Sequence, residues 1–373
     1  MTALPPIRVL LVDDSAVVRG ALGKILEAER DIKVVTTAPN GQMALDALRH
    51  TEIDVVLLDV EMPVMDGITA LPRLLQTKPG VAVIMASTLT LKGASVSMKA
   101  MSLGASDYVP KPTTTGAISA ATDFKADLVE KVKSWAQAGR RKRGIAAPSA
   151  TAEPSTATPT APKRLYGGQP IKLRDMPPLL RPDCLAIGSS TGGPQALFKV
   201  FQSIGKITHL PVFVTQHMPA TFTTILAEHL GQAAGMPSAE AKDGEPVVAG
   251  RIYVAPGDFH MVVEGNATQR VVRLNKNPPE NFCRPAVDPM LRSIAKVYGN
   301  KTLFVMLTGM GQDGLKGATE LTNVGGTVIA QDEPSSVVWG MPGAVATAGL
   351  CSAVLPLADI GAFVKKAITR SVA

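Results

Sequence analysis

The stretch CLAIGSSTGGP, residues 184–194, joins a short apolar run to a turn rich in glycine. Residues 184–187 are typical of a buried parallel strand, and the apolar residues of 195–204 recur at helical spacing. A strand, a sharp turn and a helix in this order can hold a serine at the end of a sheet. The pattern G-x-S-x-G centred on Ser190 fits a nucleophile elbow, in which glycines allow the tight bend. We therefore predict that Ser190 is a candidate nucleophile.

Other uses of such a turn must be weighed. The dinucleotide fingerprint Gly-x-Gly-x-x-Gly and the Gly-Lys-Ser/Thr ending of a phosphate loop are both absent from this stretch. Ser189 is an alternative nucleophile, although only Ser190 has glycines at the elbow spacing on both sides. The stretch alone does not establish catalysis, so the residues elsewhere in the chain decide its function.

Composition favours an α/β protein with two domains. The chain of 373 residues is long enough for two cores, and it is 46% hydrophobic with only 4% aromatic residues, so aliphatic side chains must fill those cores. The net charge is +7, but basic residues cluster at 140–143 and 163–174, between the predicted domains. Because this excess does not lie on a recognition element, we expect no nucleic-acid partner.

Cysteine usage and apolar runs indicate the compartment. The N-terminus has no basic region followed by an apolar run, so no signal peptide is predicted. No stretch is long and apolar enough to span a bilayer, so we predict no membrane insertion. Cys184, Cys283 and Cys351 are odd in number and far apart, which favours reduced and mostly packed thiols. We therefore expect a cytoplasmic protein.

Polar side chains follow the predicted strands of the N-terminal region. Apolar runs at 7–12, 54–58, 81–86 and 107–109 are mostly followed by helical stretches, which predicts a βα repeat with a parallel sheet. In that architecture the carboxyl ends of the strands converge on one edge. The residues expected at this edge are Asp13, Asp14, Asp59, Ser87 and Lys111. Two adjacent carboxylates after a buried strand suit a hard cation.

With the pattern M-P-x-x-D-G at 62–67, residues 6 to about 125 closely resemble the receiver domain of two-component response regulators. The resemblance implies a flavodoxin-like (βα)5 fold in which Asp59 is the phospho-acceptor. The residues that it implies as Mg²⁺ ligands are Asp13, Asp14, Asp59 and the carbonyl of Glu61. Ser87 and Lys111 are the residues implied to hold the phosphoryl oxygens. A carboxylate nucleophile needs a metal and a lysine to offset charge as the phosphoryl group arrives.

Tyr108 has two interpretations. It occupies the position at which receivers often carry a switching aromatic, but a half-buried aromatic on an edge strand fits equally well. After it, residues 117–138 predict a closing helix with one apolar stripe, which favours core packing. The residues of this stripe are Phe124, Leu128, Val132 and Trp135.

The composition changes between the two halves of the chain. Residues 139–181 begin with the basic cluster and continue with Ala, Thr, Pro and Ser, which predicts a linker. We place the receiver at 1–138 and the second domain at 182–373. In the latter, apolar runs at 210–215, 252–255, 302–307 and 326–330 predict strands, and 261–263 with 270–274 predicts a hairpin. The predicted fold is a doubly wound, mostly parallel sheet with antiparallel additions.

Ser190, His217 and Asp313 each follow a predicted strand, so we expect them to meet at one edge of this sheet. A serine hydroxyl needs a base to take its proton, and that base needs an acid to fix its tautomer. Asp288 and Asp332 are alternatives for the acid. The order Ser, His, Asp differs from the α/β-hydrolase order Ser, Asp, His, so the elbow does not imply that fold.

Two further expectations concern groups around the triad. The elbow offers the Thr191 amide as an oxyanion donor, and the glycine-flanked Met310 offers a second. No His, Cys and Glu grouping has metal-ligand spacing, so no zinc or other cofactor is expected in this domain. The histidines interpreted as structural are His50, His209, His229 and His260.

The motifs of the second domain resemble the catalytic domain of the chemotaxis methylesterase family CheB. They are SSTGG at 189–193, TQHMP at 215–219, APGD at 255–258 and LTGMGQDG at 307–314. With the receiver, the resemblance covers nearly the whole chain outside the linker. It implies Ser190 as nucleophile, His217 as base and Asp313 as the orienting acid. One departure is Ala286, where the family is expected to show serine.

The resemblance also implies partners. The substrates would be methylated glutamates on the cytoplasmic helices of chemoreceptors, with deamidation of receptor glutamines as a second activity. A chemotaxis histidine kinase would be the phosphodonor, Mg²⁺ would bind only at the receiver, and the chain would be a monomer. A receiver tethered to a binding module is a competing hypothesis, but it would not need Ser190, His217 and Asp313 together. A transcription factor is disfavoured, because the output region is neither basic nor helical.

Overall fold

The computed structural model divides into two compact units, Met1–Thr160 and Ala161–Ala373, which are described separately. The residues that it describes are 5–88, 90–111, 122–144, 171–176, 182–266 and 268–369. Most of the predicted linker therefore lies outside the described residues.

The first unit is built on a parallel sheet of five strands in the order β2-β1-β3-β4-β5, which is the flavodoxin-like order. The strands are β1 (Ile7–Val12), β2 (Ile32–Ala38), β3 (Val55–Asp59), β4 (Ala82–Thr88) and β5 (Asp107–Lys111). The helices are α1 (Ala16–Glu27), α2 (Gly41–His50), α3 (Gly67–Thr77), α4 (Leu91–Ser102) and α5 (Thr122–Lys142). This architecture confirms the predicted βα repeat.

Side-chain caps fix where the helices of this unit begin. Ser15 accepts a hydrogen bond from the Val18 amide, and Asn40 accepts one from the Met43 amide. Asp66 and Thr90 cap α3 and α4 in the same way. Each cap satisfies a backbone donor that the first turn of a helix leaves unpaired. The caps therefore end the loops that carry the polar residues of the sheet edge.

Helix α5 extends further than the sequence predicted. Residues 112–121, which include the predicted helix start, lie outside the described residues, and α5 continues to Lys142 instead of ending at 138. The reason is Asp54, a fully buried carboxylate that pairs with Arg140 at 2.6 Å and with Arg143 at 2.7 Å. The predicted apolar stripe is largely confirmed, since Leu128, Val132 and Trp135 are buried. Part of the basic cluster thus belongs to the first unit rather than to a linker.

The second unit is built on a parallel sheet of seven strands in the order β14-β13-β12-β6-β7-β9-β8. Its strands are β6 (Cys184–Ser189), β7 (Val212–Gln216), β8 (Ser238–Glu240), β9 (Ile252–Val254), β12 (Thr302–Met306), β13 (Thr327–Gln331) and β14 (Ala353–Leu355). The helices around it are α6 (Gly193–Ile204), α7 (Phe222–Ala234), α8 (Val287–Tyr298), α9 (Leu315–Asn323), α10 (Met341–Thr347) and α11 (Leu357–Thr369). The predicted doubly wound sheet is confirmed.

The predicted hairpin is confirmed, and it forms the antiparallel part of the fold. Strands β10 (His260–Gly265) and β11 (Arg270–Asn275) pair antiparallel, but they form a separate two-stranded sheet. Among the described residues, the strands of the seven-stranded sheet all pair in parallel. The hairpin is thus an addition to the fold rather than to the main sheet.

The active site lies next to β6, where the order of the strands in the sheet reverses relative to their order in the chain. Strand β6 pairs with β7 on one side and with β12 on the other. Such a switch point leaves a crevice at the carboxyl ends of the strands, where ligands bind in doubly wound folds. The loops after β6, β7 and β12 therefore lie side by side at one edge of the sheet. Within the described ranges, no helix has the length and apolar character needed to cross a membrane.

Candidate active site and phosphorylation site

Ser190 lies in the turn that joins β6 to α6, and this turn is held by backbone hydrogen bonds. The Ser190 amide donates to the Thr308 carbonyl at 3.0 Å, and the Gly193 amide donates to the Ser190 carbonyl at 2.7 Å. Gly192 has a φ of +76°, which disfavours any residue with a side chain. A side chain at Gly193 would collide with Gln216. The glycines after Ser190 are thus required by the bend.

The two serines of the turn differ in their surroundings. Ser189 is fully buried, and its hydroxyl donates to Gln216 Oε1 at 2.7 Å. Ser190 is only half-buried. The Gln216 amide nitrogen also donates to the carbonyls of Ser190 and His217, both at 3.0 Å. Gln216 therefore ties the two loops together, and Ser190 is the serine that a substrate can reach.

His217 and Asp313 are in direct contact. His217 Nε2 lies 2.7 Å from Asp313 Oδ2, and both side chains are largely buried. Burial alone would lower the pKa of His217, but its hydrogen bond with Asp313, helped by Cys283, outweighs burial and raises this pKa. The carboxylate therefore stabilises the ring in its protonated state, which is the state of a general base after proton transfer.

Asp313 is fixed by several other donors. The amides of Val287 and Asp288, at the start of α8, donate to its carboxylate at 2.6 and 3.1 Å, and Asn281 Nδ2 donates at 3.0 Å. Burial raises the pKa of Asp313, but the hydrogen bonds from His217 and these amides outweigh burial and hold it below its usual value. Asp313 is thus an oriented, ionised carboxylate.

The nitrogen of His217 that faces away from Asp313 contacts a thiol. Cys283 Sγ lies 3.3 Å from His217 Nδ1. In the described part of the chain, the Ser190 hydroxyl makes no hydrogen bond to His217. The structure therefore joins base and acid directly, whereas Ser190 lies on the adjacent loop without contacting the base.

The alternatives for the acid lie elsewhere. Asp288 accepts hydrogen bonds from the Gly317 amide and from Asn281, and Asp332 accepts from Ser335. Neither contacts His217. Burial, together with the negative charge of Asp313, raises the pKa of Asp288. Among the other histidines, His209 and His260 each contact a backbone carbonyl at 3.1 Å, as expected for structural residues.

The loop of Met310 lies against the turn of Ser190. A methyl group added at Gly309 would lie 2.8 Å from the Ser190 Cβ, so this close approach requires glycine. In the described part of the chain, the amides of Thr191 and Met310 donate no hydrogen bond, whereas the Ser190 and Gly309 amides donate to carbonyls. Two backbone donors near the nucleophile are therefore available to a ligand.

In the first unit, carboxylates gather at the end of β1 and β3. Oxygens of Asp13, Asp14 and Asp59 all lie within 4.8 Å of one another. Lys111 Nζ contacts Asp13 and lies 2.7 Å from Asp59 Oδ1. Burial raises the pKa of Asp59, although Lys111 opposes this effect. Three converging carboxylates fit a hard divalent cation such as Mg²⁺.

The other predicted residues of this edge have distinct surroundings. The Glu61 side chain is exposed and pairs with Lys92 at 2.6 Å. The Ser87 hydroxyl is buried and contacts Ser97 Oγ at 2.7 Å. Tyr108 is buried rather than half-buried, with Lys131 Nζ 5.0 Å from its ring centre. The interpretation as a half-buried edge residue therefore does not fit.

Comparison with known proteins assigns both units. The family model described as CheB methylesterase matches residues 185–364, and the model described as response regulator receiver domain matches residues 9–123. The protein-glutamate methylesterase/protein-glutamine glutaminase 1 of Paramagnetospirillum magneticum is 58% identical, over 99% of this chain and 98% of that protein. The chain belongs to the CheB methylesterase family.

A second relative agrees with this assignment, and the chain is also similar to a solved structure. The protein-glutamate methylesterase/protein-glutamine glutaminase of Azospirillum brasilense is 55% identical, over 98% of this chain and 94% of that protein. The crystal structure of the Thermotoga maritima CheB methylesterase catalytic domain is 40% identical, with a TM-score of 0.47, over 50% of this chain and 98% of that one.

Several residues that shape this methylesterase site were not predicted from the sequence. They are Gln216, Asn281, Cys283 and Thr308, of which Thr308 donates from its hydroxyl to the Thr191 carbonyl at 3.0 Å. Two motifs carried a signal for these residues, because Gln216 lies within TQHMP and Thr308 within LTGMGQDG. Asn281 and Cys283 lie on a separate loop, and no spacing in the sequence connects them with Asp313 or His217.

Proposed function

We propose that this chain hydrolyses the methyl esters of glutamate and the amides of glutamine in chemoreceptors, with Ser190 as nucleophile, His217 as base and Asp313 as orienting acid. The observation that carries this proposal is the 2.7 Å contact of His217 with Asp313, beside the turn of Ser190. The names of the relatives supply the substrate class, namely glutamyl esters and glutaminyl amides of proteins.

The chemistry is an acyl transfer in two halves. Ser190 Oγ attacks the ester carbonyl carbon while His217 takes the hydroxyl proton at Nδ1, because Nε2 is engaged with Asp313. His217 then gives this proton to the methoxy oxygen, and methanol leaves. Water attacks the acyl group on Ser190, with His217 again taking a proton, and glutamate is released as Ser190 recovers its hydrogen. With a glutamine side chain, ammonia leaves instead of methanol.

Two features of the site bear on the first step. The carbonyl oxygen gains negative charge during attack, and the unengaged amides of Thr191 and Met310 are the donors that we assign to it. The Cys283 sulfur lies 3.3 Å from Nδ1 of His217, in contact with the nitrogen that takes the proton. Attack therefore requires the Ser190 hydroxyl to replace the thiol at this nitrogen.

The receiver unit supplies control rather than ester chemistry. Asp59 is the proposed phospho-acceptor, with a chemotaxis histidine kinase as phosphodonor. Asp13, Asp14, Asp59 and the Glu61 carbonyl are the residues that would hold Mg²⁺, which offsets charge on the arriving phosphoryl group. Lys111 already contacts Asp59 and would bind a phosphoryl oxygen.

A switch in this unit would begin at Ser87. Its hydroxyl would leave Ser97 to bind the phosphoryl group, which would move the loop after β4. Tyr108, on the neighbouring strand, is the aromatic that we assign to this switch. We further propose that the enzyme acts in the cytoplasm, as a monomer without bound nucleic acid.

The test is methanol release from membranes that carry a methylated chemoreceptor. The full chain, supplied with acetyl phosphate and Mg²⁺, should release methanol, and Ser190→Ala should lower the rate by roughly three to six orders of magnitude. Ser189→Ala is the matched control and should cost far less. Absence of methanol release by the folded wild-type chain would refute the proposed function.

A further inference from the structure

A tight turn beside the catalytic groups carries an unusual residue. Glu280 and Cys283 exchange backbone hydrogen bonds of 3.1 and 2.9 Å, and the two residues between them have φ of +51° and +63°. Positive φ at both central positions defines a type I′ turn. Asn281 suits the first position, but the second, which favours glycine, is occupied by Phe282. A bulky residue in this backbone conformation is a genuine outlier.

In the described part of the chain, the ring of Phe282 makes no contact that would offset the unfavourable backbone. Phe282 is fully exposed. Its neighbours hold the turn, because Glu280 pairs with Arg292 through both carboxylate oxygens and Asn281 Nδ2 donates to Asp288 at 3.1 Å. The neighbouring contacts therefore hold the backbone of Phe282 in a strained conformation with its side chain exposed, which is the kind of strain that points to a function.

The position of this ring is defined by the residues on either side. Asn281 contacts Asp313 at 3.0 Å, and Cys283 contacts His217 at 3.3 Å. On the loop that also carries Asp313, Met310 is 47% exposed. Phe282 and Met310 are thus exposed apolar side chains on two loops that touch the catalytic groups. A substrate that places a carbonyl at Ser190 must pass close to them.

We infer that Phe282 is a specificity-determining residue, which packs against the side chains that flank the glutamyl ester on the substrate helix. This inference rests on the proposed function. Residues three or four positions from the ester lie on the same helix face and can reach a ring beside the site. Aromatic and Met side chains are enriched in such interfaces, and Met310 provides a second contact. A single-residue ester has no helix and therefore makes no contact with Phe282.

The test compares two substrates on the full chain, with acetyl phosphate and Mg²⁺ in every reaction. One is a membrane-bound chemoreceptor carrying tritiated methyl esters, and the other is the γ-methyl ester of N-acetylglutamate amide. The main variant is Phe282→Asn, because Asn tolerates positive φ and keeps the turn folded. Phe282→Tyr retains the ring, and Val324→Asn removes an exposed apolar side chain elsewhere in the unit.

We expect Phe282→Asn to lower kcat/KM on the receptor ten- to thirtyfold, mainly through KM, and to change the single-residue ester less than twofold. Phe282→Tyr and Val324→Asn should stay within threefold of wild type on both substrates. The inference would be overturned if Phe282→Asn lowered kcat/KM equally on both substrates, or if it did not lower kcat/KM on the receptor. A wild-type chain that cleaves only the single-residue ester would instead overturn the proposed function, together with the inference that rests on it.

Discussion

At the residue scale, Asp313 combines helix capping with the orientation of His217. Its carboxylate accepts hydrogen bonds from the first two amides of α8 and contacts His217 at 2.7 Å. A helix N-terminus attracts negative charge, so α8 keeps Asp313 ionised. The same helix therefore holds in place the charge that stabilises His217 when it is protonated.

This arrangement predicts the pH dependence of the enzyme. Only neutral His217 can take the proton of Ser190, so activity should rise as pH rises through the pKa of His217. Since Asp313 raises this pKa, the acid limb of kcat/KM should lie above the ordinary histidine value of about 6.5. Asp313→Asn should lower the rate roughly four orders of magnitude and move the limb to lower pH.

The measurement is the pH profile of methanol release between about pH 5 and pH 10. Asp332→Asn is a suitable control, because Asp332 contacts Ser335 rather than His217. An acid limb that does not move in Asp313→Asn would contradict the role of Asp313.

Cysteine chemistry gives a second prediction. Cys283 is half-buried and lies 3.3 Å from His217, whereas Cys184 and Cys351 are buried, and burial raises the pKa of each of these two thiols to about 12. Iodoacetamide should therefore label Cys283 first and lower methanol release at least about tenfold, because the added group blocks Nδ1. Peptide mass spectrometry identifies the labelled residue.

The variant Cys283→Ala distinguishes inactivation through Cys283 from inactivation by reaction at other residues. Cys283→Ala should resist inactivation by iodoacetamide, since the remaining cysteines are buried. Full labelling of Cys283 without loss of activity would show that the thiol does not occupy the site of proton transfer.

Site residues that belong to a local sequence pattern were predicted, whereas residues whose contacts are distant in the sequence were not. The elbow around Ser190 and the strand-end positions of His217 and Asp313 were predicted, because strand and turn patterns are local. The contacts of Cys283 and Asn281 were not, since these residues are distant in the sequence from the groups that they contact. Only the packing of the 280–283 turn brings them to the site.

At the element scale, α5 is tied to the sheet of the first unit by Asp54. Arg140 donates to Asp54 and to the carbonyls of Pro5 and Pro6. Arg140→Ala should lower the free energy of unfolding of this unit by about 2–4 kcal/mol, because a buried carboxylate loses a partner. The control Arg73→Ala, on an exposed helix surface, should change it by less than about 0.5 kcal/mol. Urea unfolding measures both.

The same carboxylate predicts a pH effect on stability. Burial raises the pKa of Asp54, but Arg140 and Arg8 outweigh burial and lower it. A lowered folded-state pKa stabilises the protein above the unfolded value of about 3.9, and this stabilisation is lost as pH falls through the folded value. Asp54→Asn should therefore flatten the stability curve on the acid side. An unchanged curve would contradict this account.

Elements were predicted where their burial is uniform. Strands β1, β3, β4 and β12 are almost fully buried and read as apolar runs. Strand β2 was not predicted, because five of its seven residues are partly buried or exposed, and the three residues of β8 and of β14 are all only partly buried. The end of α5 was missed because a charge run usually indicates solvent, and only the partner Asp54 explains its helical continuation.

At the scale of the whole molecule, two units with separate sites suggest regulation. If phosphorylation of Asp59 stabilises the active state of the enzyme by about 1.4 kcal/mol relative to an inactive state, the ratio of active to inactive molecules changes roughly tenfold. The full chain should therefore release methanol roughly tenfold faster with acetyl phosphate and Mg²⁺. Asp59→Ala should remain at the basal rate, and removal of Mg²⁺ with EDTA should abolish the stimulation.

The alternative outcome is informative as well. Equal rates of the wild-type chain with and without phosphodonor, under conditions in which Asp59 is phosphorylated, would exclude control by the receiver. Phosphorylation itself is followed by mass spectrometry of the intact chain, so the two results can be separated.

We propose that Ser190 is the catalytic nucleophile. Covalent trapping of the activated serine is the most direct test of this role. A fluorophosphonate ester reacts with a serine that an adjacent base activates, and peptide mass spectrometry locates the adduct. The account predicts one adduct on Ser190 in the full chain, and its loss in Ser190→Ala and in His217→Ala. An adduct on Ser189, or undiminished labelling of Ser190 in His217→Ala, would contradict it.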